Sequence, residues 1–354
     1  MATLNRSLQP QAAGRSQARP EGGVRFDLSV ALLSLWFIIG LFVDGYAHNH
    51  GAVDDTFFTP YHALLYSGIF AVGLFLAISQ YRNVGKGHAF TRALPYGYNL
   101  SLVGVVLFFV GGGFDFIWHS LFGFEANIST LLSPAHLLLA TSGFLILTGP
   151  LRAAWRRSND APTWTNRLPV VLVLLMIVSL LTFFTQFANG FSHAWNFARS
   201  TPGSGSWQMD IVGISAVLIP AAITMGVLLF ALRRWRLPTG GVTLILTANA
   251  AGMMFIEWGD MQYLWYLIVA ALLAGIMGDV LLRILTPSPT NPFAFRVFAF
   301  GVPFALNLIY FVLLITQVGI RWEIHKWLGI TCFAGAVGVF LSYLAMPPAL
   351  PDEG

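Results

Sequence analysis

Residues 44–68 read DGYAHNHGAVDDTFFTPYHALLYSG and join two long apolar runs of the chain. Asp44 and His48 stand four residues apart at the end of the first run, and His62 opens the second run, three residues after Thr59. Residues four apart share one face of a helix, so Asp44 and His48 are predicted to point in one direction. Thr59 followed by proline is typical of a helix N-terminus, which places His62 in a first turn, where the helix dipole favours neutral imidazole.

The same arrangement returns in residues 115–143, DFIWHSLFGFEANISTLLSPAHLLLATSG. Asp115 and His119 are again four residues apart, and His136 again follows a hydroxyl residue and a proline, with Ser133 in the place of the threonine. Carboxylate and neutral imidazole groups are ligands for transition-metal ions. The sequence therefore predicts two Asp/His/His metal sites, one in each stretch.

The composition defines the class of protein around these stretches. The 354 residues are 56% hydrophobic and 10% charged, and the mean hydropathy is +0.71. Apolar runs of about 20 residues recur, each long enough to cross a bilayer, so we predict an all-α polytopic integral membrane protein. The single cysteine, Cys332, excludes internal disulfides and cysteine-rich metal sites. The net charge of +4 follows the membrane topology, and we expect no nucleic-acid partner.

We predict about ten transmembrane helices in one domain of residues 26–347, between cytoplasmic tails at 1–25 (disordered) and 348–354. The predicted spans are 27–48, 59–80, 95–120, 132–154, 168–193, 209–232, 240–258, 262–285, 294–318 and 325–346. They pair into five repeated hairpin units, about 27–80, 95–154, 168–232, 240–285 and 294–346. Sixteen of the 19 Lys and Arg residues fall in the N-terminal tail and the even-numbered loops. The positive-inside rule then predicts a bacterial-type inner or plasma membrane protein with cytoplasmic termini and metal sites near the outer face.

Weaker versions of the metal pattern follow in the later units. Asn189 and His193 repeat the four-residue spacing with an amide, and Asp210 takes the place of the histidine that opens the next span. Glu257 has the most apolar surroundings of the acids and is a candidate for proton handling. These four residues form a second tier of candidate ligands, for which hydrogen bonding is an equal or better interpretation.

Two interpretations of the Asp/His/His sets remain open. Each set is either a hydrogen-bonded polar cluster at the membrane edge or a metal site, and its occurrence twice favours the metal site. Affinity for imidazole favours copper, with zinc or iron as alternatives, and the carboxylate–imidazole mixture argues against calcium.

The first set resembles the C subunit of the particulate methane and ammonia monooxygenases. That subunit binds copper near the membrane face through Asp-x3-His and a downstream histidine, beside an Asn-x3-His set. The resemblance implies copper at Asp44, His48 and His62. By repetition, with a longer loop, it also implies copper at Asp115, His119 and His136. Asn189 and His193 match the start of the second set. It covers local motifs in about a third of the chain, which has more spans than that subunit and an aspartate where the second set would need a histidine.

The sequence leaves several functions open. We expect a copper-dependent, monooxygenase-like oxidoreductase that takes oxygen and a lipophilic substrate from the bilayer. A metal-ion transporter, or a metal-delivery or sensor protein, is the alternative. Partner subunits or a homo-oligomer are compatible with either function, and the residues name neither a substrate nor an electron donor.

Overall fold

A computed structural model gives the fold of the chain. It describes residues 18–52, 58–123, 128–157, 161–198, 206–288 and 290–347. The residues that the structure describes are 79% helical and include no strand, which is consistent with the predicted all-α class. Residues 1–17 and 348–354, most of the two predicted tails, lie outside the described residues.

Twelve α-helices are found in the described part of the chain. They are α1 Val24–Asn49, α2 Pro60–Gly85, α3 Asn99–Phe122, α4 Ile128–Leu132, α5 Pro134–Leu147, α6 Gly149–Arg156, α7 Trp164–Phe184, α8 Trp207–Leu232, α9 Gly241–Phe255, α10 Ile268–Leu285, α11 Pro292–Gln317 and α12 Ile324–Ala345. Four short 3-10 segments join them, at Phe90–Arg92, Gln186–Ala188, Ala194–Asn196 and Gln262–Leu267.

Nine helical segments within the described ranges are long and apolar enough to cross a membrane, with α5 and α6 counted as one and the last 3-10 segment counted with α10. The predicted span at 240–258 is α9, which has only 15 residues. At 1.5 Å per residue, α9 is about 22 Å long, shorter than the hydrocarbon core of about 30 Å. The structure thus supports nine full spans and one short apolar helix.

Helices that follow one another pack as neighbours at both ends of the chain. Helix α1 packs against α2, α3 against α5, α9 against α10, and α11 against α12. The α1–α2 contact is close because a Cβ atom at Gly40 would meet the backbone of Leu65 at 2.7 Å, and one at Gly68 would meet the backbone of Phe37 at 2.6 Å. Small residues allow helices to approach in this way within a membrane. This packing brings the end of α1 beside the start of α2.

Helix α7 lies at the centre of the bundle. In its most hydrophobic window, 83% of the residues are buried inside the protein. It contacts α1, α8 and α9, and α8 packs mainly against α12 instead of α7. A helix that is apolar on every side is typical of such a central position. The two helices of the third predicted unit, α7 and α8, therefore pack less closely on each other than α1 on α2 or α3 on α5.

A buried polar cluster ties helices together at the end of α1 opposite Asp44. Asp27, which is fully buried, accepts hydrogen bonds from the hydroxyl of Tyr98 and the guanidinium of Arg157. Asp27 and Asp44 are 17 residues apart, about 25 Å along the helix. Asp27 thereby joins α1 to Tyr98 at the start of α3 and to Arg157 at the end of α6. The guanidinium of Arg157 compensates the buried negative charge.

Candidate metal centre

Helices α1 and α2 supply the first of two groups that could hold a metal ion. Asp44 and His48 lie on one face in the last turns of α1, as their spacing predicts. His62 lies in the first turn of α2, where the side chain of Thr59 accepts a hydrogen bond of 3.1 Å from the His62 backbone N–H. Pro60 occupies the first helical position, so the predicted N-cap is confirmed. We call Asp44, His48 and His62 triad A.

The donor atoms of triad A are spaced for a shared metal ion. Nε2 of His62 is 3.4 Å from Oδ1 of Asp44, Nε2 of His48 is 3.7 Å from Oδ2 of Asp44, and the two Nε2 atoms are 3.5 Å apart. These separations exceed the usual N–H···O distance of about 2.7–3.2 Å. Two ligands about 2.0–2.1 Å from a tetrahedral ion are separated by about 3.3 Å. The geometry thus suits an ion between the three groups better than direct hydrogen bonds.

Helices α3 and α5 supply the second group, Asp115, His119 and His136, which we call triad B. Asp115 and His119 lie on one face near the end of α3, and His136 lies in the first turn of α5. Nε2 of His119 is 3.4 Å, and Nε2 of His136 is 3.7 Å, from Oδ1 of Asp115. The ring centres of the two histidines are 5.7 Å apart, against 5.6 Å in triad A. The two triads therefore have nearly the same geometry on two different helix pairs.

The histidine rings of triad B are held in position by their other nitrogen atoms. Nδ1 of His119 lies 3.3 Å from the carbonyl oxygen of Gly123, and Nδ1 of His136 lies 2.7 Å from Oγ of Ser133. A carbonyl oxygen only accepts, so Nδ1 of His119 is the donor in this contact, and Nε2 faces Asp115. Ser133 also caps α5, since its side chain accepts from the backbone N–H of His136 at 3.3 Å. Such orienting bonds are typical of metal-binding histidines.

The carboxylates of both triads are buried, and a buried carboxylate is unfavourable unless its charge is compensated. The residues Asp44 and Asp115 are only 8% and 4% exposed. Oδ1 of Asp44 is buried and makes no hydrogen bond to any part of the chain that the structure describes. A buried carboxylate oxygen without a hydrogen bond is unfavourable, and a cation held between it and the imidazoles would compensate its charge.

All three residues of triad A line one cavity of about 900 Å³, together with Asp115 and His136 of triad B. Much of its wall is apolar, with aromatic side chains from α1, α3 and α7 such as Phe37, Phe108 and Phe183. A second polar wall includes four residues, Asn49, Gln186, His193 and Glu257. The volume and the mixture of apolar wall and a few polar groups are typical of a site for a small molecule.

The second-tier pair Asn189 and His193 does not lie on a helix, contrary to the predicted span at 168–193. Helix α7 ends at Phe184, and Asn189 has an extended backbone. The side-chain oxygen of Asn189 accepts a hydrogen bond of 2.9 Å from the backbone N–H of Phe191, so it stabilises its own turn. His193 lines the cavity, and burial lowers its pKa to about 4, which keeps the ring neutral. Among the described residues, the groups of three candidate ligands are the two triads alone.

Glu257 faces the same cavity from the turn after α9. Its Oε1 accepts a hydrogen bond of 2.7 Å from the side-chain amide of Asn49, which also donates to Oε1 of Gln186 at 3.0 Å. Burial raises the pKa of Glu257 to about 7, with His50 and the Asn49 amide acting in the opposite direction. A carboxyl group that titrates near neutral pH is suited to proton exchange. Asn49 directly follows His48, so this polar wall begins at triad A.

Asp210, a second-tier candidate ligand, makes three hydrogen bonds with side chains at and just before the start of α12. Its carboxylate accepts hydrogen bonds of 2.6 Å from Arg321, 2.8 Å from the indole of Trp322 and 2.7 Å from Lys326. The cations Arg321 and Lys326 compensate its charge. They join the start of α8 to the segment before α12 and to the first turn of α12.

The sequence did not single out several residues of this region. Tyr66, Asn49 and Gln186 all line the cavity, but none belongs to a recognisable ligand motif. Tyr66 follows His62 by one helical turn, and this spacing was the available signal.

Comparison of the chain with protein-family models, curated proteins and solved structures gave no match. The class that the fold and site define is a polytopic α-helical membrane protein with two groups that could bind metal.

Proposed function

We propose that this chain is a membrane metalloprotein that holds copper in triads A and B and oxidises a lipophilic substrate. The observation that carries the proposal is the pair of matching triads on one partly apolar cavity of about 900 Å³. Imidazole with a single carboxylate is a ligand set that copper binds more strongly than other first-row divalent ions. Zinc and iron are the alternative metals.

Each triad offers three protein ligands and leaves further positions on an ion open. A bound copper ion would supply a redox centre at which oxygen reacts. The chain itself holds the ligands in place: the carbonyl of Gly123 and the hydroxyl of Ser133 orient the rings of His119 and His136. Since both bonds engage Nδ1, the Nε2 atoms remain directed at the carboxylate of Asp115.

The apolar wall supports a lipophilic substrate. Phe37, Leu41, Phe108, Leu139 and Phe183 line the cavity together with the triads. Burial of an alkyl chain against these side chains is favourable by about 25 cal/mol per Å² of apolar surface. A bound alkyl chain would lie beside triads A and B. Glu257 on the polar wall would exchange protons with the site. The resemblance to copper monooxygenases agrees with this assignment through the spacing of triad A.

Capture of a metal ion for transport, delivery or sensing is the second candidate. The partial exposure of the side chains of His48 (26%) and His136 (22%) supports it, because an ion could reach the triads. The acids at the other end of the bundle do not favour a continuing path. Asp27 is paired with Tyr98 and Arg157, and Asp279 accepts from the first N–H groups of α9. We therefore place the enzyme before the transporter.

The proposed orientation follows the basic residues: the triads face outward, and both chain termini are cytoplasmic. A monooxygenase of this kind would place one atom of O2 in the product and reduce the other to water, so it would consume two protons and two electrons for each substrate molecule. We propose that partner subunits or a separate donor protein supply the electrons.

Spectroscopy of copper-loaded protein in detergent tests the proposed function. The protein is reduced without air, exposed to oxygen and followed by EPR in the presence of a hydrocarbon or a lipid. Reoxidation with formation of an oxidised product supports the enzyme, and the His48→Ala, His119→Ala double variant should form none. Copper that does not change oxidation state, together with copper flux into proteoliposomes, would identify a transporter instead.

A further inference from the structure

Triads A and B share one cavity. Asp44, His48 and His62 of triad A and Asp115 and His136 of triad B all line it. The cavity therefore joins groups on α1 and α2 to groups on α3 and α5. Charges buried in a site of low dielectric constant act on each other strongly. We therefore expect an ion bound at one triad to change the affinity of the other triad for a second ion.

Tyr66 connects the two triads physically. It lies on α2 one turn after His62 of triad A, and it lines the shared cavity. Its ring packs edge-on against Phe108 of α3 at a centre distance of 5.4 Å. Its hydroxyl reaches Gly112, three residues before Asp115, where a Cβ atom would lie only 2.5 Å from the hydroxyl oxygen.

Gly112 is thus needed to admit the tyrosine. The neighbouring Gly113 has nothing within 4 Å of its Cβ position, so the close approach is specific to one glycine of the run. A phenol hydroxyl can donate one hydrogen bond and accept another in such a position.

We propose that triads A and B form one paired centre for two metal ions, and that Tyr66 is a positioning residue whose hydroxyl acts on both. This inference rests on the proposed metal binding by the triads. Each triad contributes one carboxylate charge, so a divalent ion leaves it with a net positive charge. The second ion is then repelled by the positive charge of the first, occupied triad. An ion that binds while the other triad is empty is instead attracted by the negative carboxylate of that triad.

Copper titration tests the pairing, with Cu(II) alone as the probe. In the His48→Ala protein only triad B is complete, and it should bind Cu(II) about 5–150-fold more tightly than the second ion binds to wild type. EPR of wild type loaded with two ions should show a magnetic interaction that His48→Ala and His119→Ala each abolish. Two isolated signals and equal affinities would overturn the pairing, while failure of wild type to retain copper would refute the proposed function itself.

Two substitutions test the role of Tyr66. Tyr66→Phe removes only the hydroxyl and should shift the copper EPR signal both in the His48→Ala protein and in the His119→Ala protein. Gly112→Ala should shift both signals too, because its new methyl group displaces the phenol, whereas Gly113→Ala is the matched control and should leave them unchanged. If Gly112→Ala does not fold, Tyr66→Phe decides alone. A shift at only one triad, or at neither, would overturn the joint role.

Discussion

Replacement of Ser133 by alanine separates two roles that one hydroxyl group has in triad B. The Ser133 side chain accepts from the backbone N–H of His136 at 3.3 Å as the N-cap of α5, and it lies 2.7 Å from Nδ1 of the same histidine. The first contact stabilises the helix, and the second orients the ring for a metal ion. Ser206 is a matched control, because its side chain caps α8 with a bond of 3.3 Å from Met209.

The expected magnitudes follow from these contacts. Loss of an N-cap hydroxyl costs about 1 kcal/mol of stability, so Ser133→Ala and Ser206→Ala should be destabilised to similar extents. Loss of a group that orients a metal-binding histidine lowers metal affinity about 10–100-fold, which is about 1.4–2.7 kcal/mol. Only Ser133→Ala should therefore weaken metal binding, and Ser133→Thr, which keeps a hydroxyl, should recover most of the affinity.

The assay is a Cu(II) titration against a competing chelator in the His48→Ala background, where triad B is the only complete triad. Thermal unfolding of the same variants gives their stability. A copper dissociation constant that is within twofold of the parent value in Ser133→Ala would refute the reasoning. An equal loss of affinity in Ser206→Ala would do the same, because it would show that general destabilisation was the cause.

Three further predictions concern the bundle and its topology. Arg157→Ala should lower the free energy of unfolding by about 3 kcal/mol, because it removes one partner of the fully buried Asp27. Unfolding in detergent measures this, and a loss of less than about 1 kcal/mol would contradict the prediction. Glu257 has a pKa raised from 4.5 to about 7, so its proton is bound more tightly in the folded state and its contribution to stability should be lost as the pH rises from 4.5 through 7. The melting temperature of wild type relative to Glu257→Gln should accordingly fall over that range, and a rise would contradict the assignment. Reporter fusions at about residues 90 and 127 should lie inside and outside respectively, as the distribution of basic residues predicts, and the reverse result would place the triads on the cytoplasmic side.

Local signals in the sequence were enough to predict the main parts of the candidate site. A four-residue spacing puts Asp44 and His48 on one helix face, whatever the surroundings, because helix geometry alone decides it. The hydroxyl-proline pairs before His62 and His136 define helix starts through their own backbone chemistry. Each third ligand meets the other two because α1 packs against α2 and α3 packs against α5.

Other features depend on contacts between distant residues and could not be predicted in this way. The end of α7 at Phe184, well before His193, is one such feature, and it removes Asn189 from the predicted helix face. The ion pair of Asp210 with Arg321 depends on the packing of α8 against α12. Tyr66 has no motif of its own, and its place between the triads appears only when α2 and α3 are packed together.

A metal count on purified protein tests the central claim most directly. The protein is loaded with Cu(II) in detergent, freed of excess metal and analysed for copper per chain. Wild type should hold two ions, His48→Ala and His119→Ala one each, and the double variant none, because each substitution removes one of three ligands from a triad. Fewer than one ion in wild type, or an unchanged count in the double variant, would contradict the account and identify the triads as hydrogen-bonded polar clusters.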